Sequence, residues 1–165
     1  MNLHFWSKTI LIFHTLILIC CTSMANENLF REARTLQREG KYDEAIEAFK
    51  NYLRQPAEGD GITDKEQTLY TEALMQLMNT YQSKGEPETC IATLQEVFKV
   101  SPNVQRYCLR DYYSILGYAL SRTEKMKEAE ETMLKVFTLP LHKATPERYF
   151  RDYAYAAAVV YSNPN

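Results

Sequence analysis

Carboxylates, thiols and one imidazole are the side chains of this sequence whose types could do chemistry. Asp43 with Glu44, Glu86 with Glu88, and Glu128 with Glu130 and Glu131 bring carboxyl groups close together along the chain, as general acid–base catalysis requires. Each cluster stands at the start of a segment with helical apolar spacing, where acids complement the positive end of the helix dipole. That structural role accounts for them. A zinc site needs three or four ligands at close spacing. Beyond residue 25 there is one histidine, His142, with Cys90 and Cys108 far from it in sequence. The chain contains no CxxC, HExxH or GxSxG and no glycine-rich phosphate loop, so the usual catalytic and nucleotide signatures are missing. We therefore expect no catalytic residue, no metal and no small-molecule cofactor, and the chain does not read as an enzyme.

The remaining composition describes a protein that binds instead. At 165 residues and 19.3 kDa the chain is about one domain long, and its low glycine and proline content argues against disorder. A net charge of −2 disfavours nucleic acid, whose phosphates call for clustered Lys and Arg. Tyrosine, at 12 residues, is the one enriched type, and it suits interfaces that need rigid amphipathic contact area.

The first 25 residues stand apart from the rest. Met1 to Lys8 carries a single Lys and no acid, and Thr9 to Cys21 reads TILIFHTLILICC, apolar except at His14 and Thr15. The run is short of the roughly 20 residues that span a bilayer and matches the apolar core of a signal peptide. Ser23 and Ala25 supply the small residues before a cut. Residues 1–25 are thus expected to be a signal peptide cleaved after Ala25, leaving an exported, periplasmic protein; the alternative is that residues 9–21 stay as a membrane anchor. Cys20 and Cys21 leave with the signal. Cys90 and Cys108 could then pair in an oxidising compartment, but Cys90 falls where a small buried residue is needed, and two packed free thiols are expected.

Four times along residues 26–165, small or apolar residues fall at i, i+3, i+4 and i+7, the spacing of one helix face. The sets are Leu29, Glu32, Ala33 and Leu36; Leu74, Leu77, Met78 and Tyr81; Tyr113, Leu116, Gly117 and Leu120; and Ala154, Ala157, Ala158 and Tyr161, with Glu32 the single misfit. A second amphipathic segment follows each of the first three. The offset from Ala33 to Ala45, Met78 to Cys90 and Gly117 to Ala129 is 12 every time, whereas the steps along Ala33, Met78, Gly117 and Ala158 are 45, 39 and 41. Fixed spacing within a unit and variable spacing between units describe an array of helical hairpins.

The run LFREARTLQREGKYDEAIEAF from Leu29 to Phe49, with Gly40 to Ala45 at its turn, resembles a tetratricopeptide repeat. Gly85 marks the turn of the second copy and Pro102 its end; the third keeps Leu116, Gly117, Ala129 and Pro140 but has Glu124 in place of the turn glycine. The resemblance covers residues 26–165. It implies an all-α, right-handed solenoid of antiparallel helix pairs with about three and a half repeats, in units near 26–56, 64–102, 103–140 and an incomplete 146–165. Ala33, Ala45, Cys90, Gly117 and Ala129 then allow helices to approach, while Phe49, Leu53, Met78, Leu94, Phe98, Met133 and Phe137 fill the space between pairs. The units exceed the family's period of about 34 residues. The surplus falls at Gln55 to Thr63, which Pro56, Gly59 and Gly61 mark as a loop, and around residues 104–112 and 141–148, where first helices lengthened at their N-termini are expected. Thr63 to Glu66 reads as a capping box, and Thr145-Pro146 as a helix start.

In such arrays the first helices line a concave groove. The positions that alternate with packing residues are Phe30, Arg34, Gln37 and Arg38; Met75, Asn79, Gln82 and Ser83; Ser114, Tyr118, Ser121 and Arg122; and Tyr155. Their amides, guanidinium groups and phenols could hold a peptide backbone or a carboxylate. Asn79 alone matches the family's carboxylate clamp, whose Lys and second Asn are missing, so chaperone C-termini are not the expected ligands. After Asp152 the last segment, Tyr153 to Tyr161, has no charge, although terminal repeats usually carry a polar outer face. A continuing chain or a homodimer through this face would explain it. The functional expectation is a non-catalytic exported scaffold with a protein or peptide partner. The alternative, from organisation alone, is the extracytoplasmic sensor segment of a larger two-component signalling protein, a sensor histidine kinase.

Overall fold

The computed structural model describes residues 27–55 and 61–139, together with Ala154. The described residues form α-helices and connecting turns: α1 over 27–38, α2 Tyr42–Arg54, α3 Asp64–Lys84, α4 Pro87–Val100, α5 Pro102–Tyr107, α6 Leu109–Ser121 and α7 Met126–Thr138. Helices α1, α3 and α6 are the first members of three pairs, and α2, α4 and α7 are the second. The pairs stack as an all-α, tetratricopeptide-like solenoid, α2 lying on α3, α3 on α4, and α6 on both α3 and α4.

Local signals set the helix ends. The Thr63 hydroxyl accepts the Glu66 amide at 3.2 Å while the Glu66 carboxylate accepts the Thr63 amide at 2.7 Å, the reciprocal capping box expected. Pro87 and Pro102 occupy first turns, where a missing N–H costs nothing. Gly40 and Gly85 both take φ 75°, the left-handed conformation that closes a helix and that glycine adopts without strain.

The packing positions are where the repeat requires them. Ala33, Ala45, Phe49, Leu94 and Ala129 are fully buried, Cys90, Met133 and Met78 nearly so, and Gly117 is buried in α6. Phe98 stacks on Tyr112, ring centroids 4.3 Å apart, joining the second pair to the third. Phe137 departs from expectation: it is 39% exposed, although it follows the buried Met133 by one helical turn.

The third unit also departs. In place of one lengthened first helix, the chain makes the short α5, breaks at Cys108 (φ −117°, ψ 19°) and restarts as α6. The cause is a set of buried hydrogen bonds to the C-terminal end of α2. The Ser101 hydroxyl donates to the Leu53 carbonyl, and the Asn103 amide donates to the Gln55 carbonyl at 3.0 Å and to the Tyr70 hydroxyl at 2.7 Å. Tyr70 in turn donates to Gln55 at 2.9 Å. Carbonyls at a helix end have no partner within the helix, and α5 is held where it supplies them. The surplus expected at 141–148 and, apart from Ala154, the incomplete last unit lie outside the described residues.

Candidate functional site: the face of the first helices

The gaps between neighbouring first helices differ in character. Between α1 and α3 the gap is bridged by polar side chains. Arg34 forms an ion pair with Glu72, and the Gln37 amide donates to the Gln76 carbonyl at 3.3 Å and the Thr80 hydroxyl at 3.0 Å. Arg34 and Gln37, expected in the binding groove, thus hold two units together. Phe30, expected there too, is in the core, its ring 6.1 Å from Phe49 and 5.6 Å from Tyr52, because α1 turns that residue toward α2.

Between α3 and α6 the gap stays open. It forms a cavity of about 40 Å³ whose walls are Met75, Met78, Ile115 and Tyr118, with Thr71, Asp111 and Ser114 completing the lining. Thr71 donates to the Asp111 carboxylate at 3.0 Å, and both groups are buried. Thr71 is on α3 and Asp111 on α6, so this bond also ties unit to unit. The pocket is largely apolar, and its two methionines are unbranched and adaptable.

Of the expected groove residues, Met75, Ser114 and Tyr118 are therefore brought together at one pocket. Asn79 is half-buried, Arg38 and Arg122 are exposed, and the Gln82 amide nitrogen is buried with no partner among the described residues. Tyr155 lies outside them. Sequence reasoning missed Ile115, Thr71 and Asp111. Ile115 is one residue from the packing position Leu116, so periodicity counted it on neither face; Thr71 and Asp111 meet across two units, a relation that no local pattern records.

The thiols and carboxylate clusters have structural roles. Cys90 and Cys108 are free and buried, and burial pushes the Cys90 thiol up to about 12, away from nucleophile chemistry. Asp43 pairs with Lys84 at 2.6 Å and Glu88 with Lys125 at 2.7 Å, each joining one unit to the next. Asp43 and then Glu86 hold the Lys84 ammonium above its ordinary range. Among the described residues, no group of three or more His, Cys, Asp or Glu is placed to hold a metal.

The tetratricopeptide repeat model matches residues 27–56, which span α1 and α2, and a second such model matches residues 111–141, which span α6 and α7. The chain carries tetratricopeptide repeats. The α3–α4 pair lies between the two matched stretches and packs on α2 and on α6, so the helix pairs are continuous across the pocket. No curated protein matches the chain. Tetratricopeptide repeats generally serve as scaffolds for protein–protein interaction.

Proposed function

We propose that this tetratricopeptide-repeat protein is a non-catalytic scaffold. It holds an extended peptide, or an extended segment of a protein, along the face formed by α1, α3 and α6. One observation carries the reading: the α1–α3 gap is filled by the chain's own side chains, whereas the α3–α6 gap opens as an apolar pocket between Met75, Ile115 and Tyr118. Apolar pockets with a few polar groups are the usual anchor for a ligand side chain. The test is selection of a random peptide library on the full chain and on a Met75→Glu variant. Met75 is half-buried, so the variant should keep its melting temperature to within a few degrees while losing the selected peptides. Peptides that bind both proteins equally would place the binding surface elsewhere.

We further propose that the scaffold works outside the cytoplasm. The apolar run from Thr9 to Cys21 and the small residues Ser23 and Ala25 before the expected cut support this. N-terminal sequencing of the protein recovered from its native compartment should read from Asn26. A product that begins at Met1 in a membrane fraction would instead make residues 9–21 an anchor.

A further inference from the structure

The pocket stands beside a row of unanswered donors. Arg122 follows the pocket residue Tyr118 by four residues, and Arg38 follows Arg34 by four, one helical turn along the same face. Counted from the packing positions Ala33 and Gly117, the two arginines hold the same register, at the C-terminal ends of α1 and α6. Both are exposed and neither makes an ion pair among the described residues. Elsewhere the described cations are mostly answered: Arg31, Arg34, Arg54, Lys65, Lys84 and Lys125 each sit against a carboxylate. Near the end of α3, the first helix of the unit between those of Arg38 and Arg122, the Gln82 amide nitrogen is buried with no partner among the described residues. A buried donor without an acceptor leaves its desolvation uncompensated; Gln82 is half-buried as a whole, and turning its side chain outward would let a ligand oxygen supply the acceptor. The acids of the same face point the other way. Glu72 is taken by Arg34, and Asp111 is 3% exposed and accepts from Thr71.

We propose that the partner held in this groove is an acidic peptide: one apolar side chain enters the α3–α6 pocket, and flanking Asp or Glu carboxylates meet Arg122, Gln82 and Arg38. This rests on the peptide-groove reading above and names its ligand class. Neighbouring helices lie about 8–10 Å apart, and an extended chain advances about 3.3 Å per residue. Carboxylates reaching Arg38 and Arg122, with α3 between them, therefore stand roughly five or six residues apart in the ligand. A chain of net charge −2 gains no general attraction for an acidic partner, so recognition depends on these local cations and weakens with salt.

The test is the same library selection, scored for charge, on the full chain and on an Arg38→Glu, Arg122→Glu double variant. Both sites are exposed, and an unchanged melting temperature confirms an intact fold. The expected result is enrichment of Asp and Glu around an apolar residue on the wild-type protein. A synthesised winning peptide should lose about tenfold or more in affinity on the double variant, as lost charge-assisted contacts do, while its Asp/Glu→Lys counterpart should gain on that variant. Winners that are neutral or basic, yet still lost with Met75→Glu, would overturn the acidic ligand and leave the groove standing. Winners indifferent to Met75→Glu, or no winners at all, would overturn the groove and this inference with it.

Discussion

Met133 of α7 lies across Gly117 of α6 so closely that a Cβ built on Gly117 would stand 2.7 Å from the Met133 Cγ. Gly117 is not at a turn. It is inside a helix, where glycine costs roughly 1 kcal/mol relative to alanine, and it is there because the paired helices meet at that point. Met133 is 1% exposed and cannot swing out into solvent. Gly117→Ala should therefore destabilise by about 1–2 kcal/mol, the overpacking cost outweighing the gain in helix propensity. In a Met133→Ala background the clash is gone, and the same change should become neutral or stabilising. Urea denaturation of the four proteins gives the coupling directly; additive effects would mean that the two residues do not touch in solution.

The buried bonds from α5 to the end of α2 give a second test. Asn103 is 3% exposed and donates to both Gln55 and Tyr70. Asn103→Ala should cost about 1–3 kcal/mol, the range for a lost buried hydrogen bond. Asn103→Asp should cost more at neutral pH, since a carboxylate offers two further acceptors to a carbonyl that needs a donor. Equal losses in the two variants would show that the site is filled by shape alone.

These two places mark how far the sequence could be read. Gly117 was legible because a repeat position either is small or is not, and an offset of 12 returned three times. The same periodicity gave α1 to α4, and Thr63 and Glu66 announced their capping box. Asn103 was not legible. It answers Gln55, 48 residues earlier, and no local pattern records a partner so distant; hence α5 was expected to be part of a longer α6. The groove was read in outline only. Met75 and Tyr118 were placed by register, but which gap would be open depended on Arg34, Gln37 and Thr80 filling one and leaving the other.

Gly85 tests the turn between the second pair. It takes φ +75°, and a Cβ there would meet nothing within 4 Å, so any cost of substitution is in the backbone. Gly85→Ala should destabilise by roughly 1 kcal/mol, and Gly85→Asn by less, because Asn tolerates the left-handed region better. Thermal melts that ranked Ala above Asn would argue that the helix ends some other way.

Cys90 supplies the alkaline limit of stability. Burial pushes its thiol from 9.0 up to about 12, and burial followed by the charge of Tyr113 pushes the Tyr112 phenol from 10.0 up to about 12. For both groups the folded state keeps its proton where the unfolded chain has lost it. Folding is thus linked to proton uptake, and the stability these groups contribute is complete below about pH 9 and falls as pH rises toward 12. The slope approaches about 1.4 kcal/mol per pH unit for each group once its unfolded form is ionised. Between about pH 9 and 10 Cys90 dominates, so Cys90→Ala should lower stability at neutral pH yet show a flatter decline across that interval. Denaturant midpoints measured through it would decide the matter. A decline equally steep in both proteins would mean that the thiol ionises in the folded state, in which case iodoacetamide should label Cys90 without unfolding.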